Sequence, residues 1–170
     1  MDEQKLLCAW TLLENCTPLR DDCGALCGAA CCTPDEDGQG GMFLFPGEER
    51  LIGSAQWAQI RPANQLGGCL LLTCGGRCER EKRPLSCRIF PLTPTLRKSG
   101  EFGVRIDRRA KPVCPLTRSG LRGLSAEFVE KAKKAIVLIA EDPEGAAFLR
   151  AWSALESLYA QDLAALRAWL

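Results

Sequence analysis

Apolar residues recur at helical spacing only near the two ends of this chain. Close to the start, Leu6, Leu7, Trp10 and Leu13 share a face while Asp2, Glu3 and Glu14 are polar. This spacing predicts an amphipathic helix over about residues 2–15 that packs on a core. Near the end, Phe128, Ala132, Ile136 and Ile139 form one face, with Ser125 placed to cap it. Glu127–Lys131 and Glu130–Lys134 are favourable i,i+4 pairs on the other side. Asp142-Pro143 ends that helix and opens the next, with Asp as cap and Pro in the first turn. From there Leu149, Trp152, Leu155, Tyr159, Leu163, Leu166 and Leu170 step by three or four to the last residue. The expectation is an antiparallel helix pair over 121–170 whose stripe is core, with any remaining apolar face open to a protein partner.

Between them, residues 16–120 show no sustained period. Nine of the ten prolines lie here. "DEDGQGG" reads as a loop, and "MFLFPGEE" as a short strand entering a solvated turn that carries Glu48 and Glu49. "CLLLTCGGRCERE" reads as a strand, a Gly-Gly turn and a return, and "LRKSGEFGVRI" as a hairpin around Ser99-Gly100. Such a zone builds little core by itself and is expected to owe its order to cross-links. The fold class expected is α+β: an irregular, metal-organised cysteine-rich lobe with short β-hairpins packed against N- and C-terminal helices, all in one domain.

Composition narrows the chemistry. The 170 residues are 46% hydrophobic and 25% charged, with net charge +1. That balance favours neither nucleic acid nor an acidic membrane surface. Aromatic residues make up 6% and are not interleaved with basic ones, so a base-stacking surface is not expected. The chain has eleven cysteines and no histidine. Triads, His-based zinc hydrolases and facial-triad oxygenases are thereby excluded. The N-terminus lacks a basic stretch followed by an apolar one, and the longest apolar run, "AIVLIA", is far short of the roughly 20 residues a membrane span needs. A cytoplasmic protein is expected, where dense cysteine means metal binding or redox chemistry rather than a disulfide framework.

The densest stretch is "CGALCGAACC", residues 23–32, spaced C-x3-C-x3-CC. Five further cysteines follow within 69–114: Cys69, Cys74, Cys78, Cys87 and Cys114. Glycines beside Cys23, Cys27, Cys69 and Cys74 free the backbone to curl round an ion. The spacing lacks the C-x2-C knuckles of zinc ribbons and of thiol–disulfide exchangers. It also departs from the ferredoxin and radical-SAM patterns.

"CGALCGAACC", then the segment from Cys69 to "RPLSCRIFP", then "VCPL", resembles the YkgJ-type cysteine-cluster family over residues 23–116. That family is described as zinc- or iron-chelating, with a signature written CxxCxxCC. This chain has three residues where the signature has two, a CxxxCxxxCC variant. Larger proteins with this module, a flagellin lysine methylase among them, are associated with an iron–sulfur cluster. The resemblance implies eight ligating thiols: Cys23, Cys27, Cys31, Cys32, Cys69, Cys78, Cys87 and Cys114. It implies an iron–sulfur cluster, [4Fe-4S] for preference, or zinc. Cys8 is expected to be a buried small hydrophobe, while Cys16 and Cys74 are unassigned.

Four thiolates on a divalent ion need nearby cations, and Arg77, Arg80, Arg83 and Arg88 crowd the same segment. Pro84 and Pro91 stiffen the chain on either side of Cys87, and Phe90 would shield it from water. Adjacent Cys31 and Cys32 in an extended chain would point apart, which suits a cluster or two sites better than one small ion. Replacing Cys31 or Cys87 by Ser is expected to unfold the middle zone. No nucleotide loop, GxSxG or HExxH is present. The function expected is metal binding. The alternative is a small cluster- or thiol-dependent oxidoreductase or transferase.

Overall fold

The computed structural model describes residues 1–19, 24–32, 41–75 and 78–168, with side chains up to residue 161. Helix α1 (Glu3–Leu12) begins where Asp2 accepts bonds from the Gln4 and Lys5 amides, at 2.8 and 3.4 Å. It buries Leu6, Ala9 and Trp10, with Leu13 just beyond its end. Leu7 points outward, so the buried face runs through Ala9 instead.

Helix α6 (Ala126–Ala140) buries Phe128, Ala132, Ile136 and Ile139 completely. Its outer pairs, Glu127–Lys131 and Glu130–Lys134, close at 2.8 and 2.7 Å. Asp142 then caps α7 (Pro143–Ala168), accepting from the Glu144 and Gly145 amides at 2.9 Å each. The stripe on α7 is core only in part. Leu149 and Trp152 are buried, Leu155 is half-buried, and Tyr159 is exposed.

Two small antiparallel sheets fill the middle. One is ordered β1-β3-β2, from β1 (Met42–Phe43), β2 (Ala58–Ala63) and β3 (Cys69–Cys74). The other is the hairpin β4 (Leu92–Leu96) and β5 (Phe102–Ile106), turning through Ser99-Gly100 as expected. Among the described residues, the return strand expected after Cys74 is not formed. β3 pairs instead with β1 and with β2, which precede it in the chain. Past Cys78 the chain takes a 3-10 turn (Arg80–Lys82) and helix α4 (Leu85–Ile89). β2 gave no sequence signal because it carries Pro62, which an edge strand tolerates.

The middle zone is not a separate lobe. Leu44, Phe45, Ile52, Leu72, Leu85 and Ile89 join α1, α6 and α7 in one hydrophobic cluster. Phe45 stacks 5.1 Å from Phe148 and 5.8 Å from Trp152, centroid to centroid. The chain is therefore an α+β protein with short hairpins and terminal helices, and its middle is anchored by apolar packing. Among the described residues, no helix is long and apolar enough to cross a membrane.

Candidate metal centre

Eight of the ten described cysteines line a single cleft with a cavity of about 100 Å³. Cys27, Cys31 and Cys32 come from one wall, formed by α2 (Gly24–Cys27) and a 3-10 turn (Ala30–Cys32). Cys78 and Cys87 come from the segment around α4, and Cys114 from the end of α5 (Ala110–Val113). Cys16, beyond α1, and Cys74, ending β3, complete the lining. Leu13, Leu72, Trp57 and Phe90 supply apolar walls, so Phe90 does sit beside the thiols.

The structure thus brings together six of the eight thiols implied by the family resemblance. Cys23 lies outside the described residues. Cys69 is set apart, lining a groove against α7 with its sulfur 3.9 Å from the Ala63 carbonyl oxygen. The reason is strand geometry. Cys69 and Cys74 stand at opposite ends of β3, about 17 Å apart, and an odd separation turns them to opposite faces. Cys74, unassigned from sequence, therefore takes the place in the cleft that was expected of Cys69. Cys8 is exposed on the outer face of α1, not buried as expected. Cys16 is buried, and burial pushes its thiol pKa up, with Lys131 partly offsetting this.

Charge is distributed unevenly among the arginines. Arg80 donates Nε and Nη2 to the Glu14 carbonyl oxygen at 3.2 Å, tying the end of α1 to the 80–82 turn. Arg88 donates to the carbonyls of Arg83, Glu81 and Arg80 at 2.6, 2.8 and 3.1 Å and lies over the Trp10 ring at 4.6 Å. Both are committed to holding the backbone. Among the described arginines of this segment, Arg83 faces sulfur, its Nε 3.3 Å from Cys78 Sγ. Burial opposes its charge, yet Cys78, Cys32 and Cys87 outweigh that and hold its pKa above the ordinary value. Arg77 lies outside the described residues.

The thiols differ sharply in acidity. The Cys31 hydrogen bond is the main influence bringing the Cys32 thiol down to about 6; Arg83 adds to it and burial opposes it. Burial pushes Cys87 far the other way, reinforced by Cys32, Cys78 and Glu48. Cys32 is thereby held toward the thiolate and Cys87 toward the thiol.

The adjacent cysteines do not point apart. Gly28 and Ala29 both take left-handed backbone angles, φ 60° and 56°, which end α2 and start the tight turn at Ala30–Cys32. In that turn Cys31 Sγ and Cys32 Sγ stand 4.0 Å apart. Two sulfurs each about 2.3 Å from one zinc ion can be separated by at most about 4.6 Å. The expectation drawn from an extended chain is corrected by the turn: this pair is spaced to share one ion. Among the described residues, however, no three Cys, Asp or Glu side chains converge closely enough to hold an ion together. The arrangement is a thiol-lined cleft rather than a closed cage.

Glu48, expected in a solvated turn, opens helix α3 (Glu48–Ile52) and is fully buried behind this cleft. Its Oε1 accepts from Trp10 Nε1 at 2.7 Å and from the Leu85 amide at 2.5 Å, and its Oε2 accepts from the Phe45 amide at 2.9 Å. Burial raises its pKa to about 7, against the three N–H donors and Arg88, which lower it. The carboxylate pins the start of α4, the helix that carries Cys87, to α1 and to the chain beyond β1. Nothing in local composition separates it from half-buried Glu49 next door.

No protein-family model matches the chain, nor does any curated protein or solved structure.

Proposed function

We propose that this is a cysteine-ligated metal-binding protein of the cytoplasm, whose centre is the thiol-lined cleft. The observation that carries the reading is the convergence of eight cysteines, drawn from positions 16 to 114, on one cavity. Soft thiolates select zinc, copper(I) and iron–sulfur clusters over hard cations. Arg83 is placed to offset the negative charge that several thiolates would bring. The resemblance to the YkgJ-type family points to the same chemistry. Cys27, Cys31, Cys32, Cys74, Cys78, Cys87 and Cys114 would hold the metal. Binding would draw the thiols inward, since a fully preformed site is uncommon before the metal arrives.

Two observations bear on which metal. The cavity of about 100 Å³ is several times the roughly 10–15 Å³ a single water needs, and with so many thiols it favours an iron–sulfur cluster. The 4.0 Å spacing of Cys31 and Cys32 favours a mononuclear zinc site. Either group supplies a cross-link, and a cluster also supplies one-electron redox chemistry.

The test is metal content and the visible spectrum of protein purified without oxygen. Brown protein with about four iron and four sulfide per chain assigns the cluster. Colourless protein with about one or two zinc assigns four-sulfur zinc sites. Absence of both metals from freshly purified protein, and failure to take up either on reconstitution, overturns the proposal.

A further inference from the structure

Within the metal-binding reading, the thiols of the cleft are not equally open to solvent. Cys31 is exposed and Cys32 half-buried, both on the turn whose only regular structure is three residues long. Cys87 sits on α4, whose neighbours Ser86 and Arg88 are buried and whose start is pinned by Glu48. Cys78 is engaged by Arg83. Among the described cysteines of the cleft Cys31 is the exposed one, while Cys32, Cys78 and Cys87 are half-buried, so an ion arriving from solvent meets Cys31 first, with Cys32 already spaced to take it. We infer that Cys31 and Cys32 form an entry dithiol that captures a single thiophilic cation ahead of the inner thiols Cys78 and Cys87. The inference rests on the cleft being a metal site, and adds the order in which its thiols are used.

The capture step involves no change of oxidation state. A divalent cation M2+ and the two thiols give M bound to two sulfurs, and any protons the thiols carried pass to water. Two bonds to sulfur leave a soft ion short of its usual four. The pair alone therefore holds the ion more loosely than a full site does, which allows onward transfer. Cys27 lines the same wall and is the nearest in sequence to supply a third sulfur.

The experiment uses the full-length, reduced, metal-free protein and cadmium as the probe ion. Substoichiometric cadmium is added, exposed thiols are alkylated briefly, and labelling at each cysteine is read by peptide mass spectrometry. Labelling of Cys31 and Cys32 should fall in proportion to the cadmium added, while Cys78 and Cys87 label as in its absence. Cys8, exposed and outside the cleft, serves as the internal reference. Protection of Cys78 or Cys87 before the pair, or unprotected Cys31 when cadmium is bound elsewhere, overturns the entry role and leaves the metal reading intact. No protection at any cysteine, with no cadmium retained, overturns both.

Discussion

The aromatic core and the cysteine cleft share a wall, yet they are completed in opposite ways. Leu13 and Leu72 are almost wholly buried in the core and also line the cleft. On the core side, Phe45, Phe148 and Trp152 meet at ring contacts of 5.1 to 5.8 Å. On the cleft side, eight thiols line a cavity and, among the described residues, no trio is close enough to close on an ion. The core is finished by the chain itself, whereas the cleft is the part that the proposed metal would finish. Apolar burial joins the middle zone to the terminal helices, and the thiols line a cleft at the edge of that core.

The largest effect that would sharpen this contrast is loss of a core aromatic. Phe45→Ala should cost about 3–5 kcal/mol in denaturant unfolding, equally in metal-free and metal-loaded protein. A small loss would mean the middle zone is not anchored as described.

Next is the buried carboxylate that links the two regions. The pKa of Glu48 is about 7 in the fold against an ordinary 4.5, so between those values the folded protein binds more protons than the unfolded one. Stability from this group is present below the ordinary value and is lost as pH rises through 7, by on the order of 3 kcal/mol. The charged group that acts on it is Arg88, which favours ionisation. Glu48→Gln should flatten the slope of unfolding free energy between pH 4.5 and 7, while setting an amide N–H against the Phe45 amide. An unchanged slope would place the titration elsewhere.

A smaller effect belongs to the cleft alone. Gly28→Ala puts a side chain at φ 60°, costing about 1–2 kcal/mol. Because the turn matters for presenting Cys31 and Cys32, the loss should appear as metal affinity roughly tenfold weaker in chelator competition. Equal affinity would separate the turn from the site.

The smallest effect is the most diagnostic. Cys31 is exposed, so Cys31→Ser should leave metal-free unfolding within about 0.5 kcal/mol of wild type. The sequence-based expectation that the substitution unfolds the middle zone rests on metal-linked stability and is tested by the same measurement on metal-loaded protein. A collapse of the metal-free protein would restore the thiols as builders of the fold.

What could be read in advance, and what could not, follows physical lines. α1, α6, α7 and the β4–β5 hairpin were legible because their signals are local: periodicity, caps, i,i+4 pairs and a Ser-Gly turn. The pairing of β3 was not, because β2 carries a proline and joins the sheet only through partners outside its own segment. The exposure of Cys8 and Tyr159 was missed for a related reason. Helical spacing tells which residues share a face, but not how far the rest of the molecule reaches along it.

At the candidate site, residue type alone narrows the chemistry. With eleven cysteines and no histidine, any transition metal would be held mainly by sulfur, with a carboxylate as a further ligand at most. Which sulfurs meet is a different kind of fact. Cys74 enters the cleft and Cys69 leaves it because β3 alternates its faces and spans its length. Cys31 and Cys32 converge because two left-handed residues turn the chain into a 3-10 turn. Glu48 becomes a buried hub because the Trp10, Phe45 and Leu85 donors converge on it from three segments. Composition sets which bonds the chain can make. The packing of distant segments sets which atoms come near enough to make them.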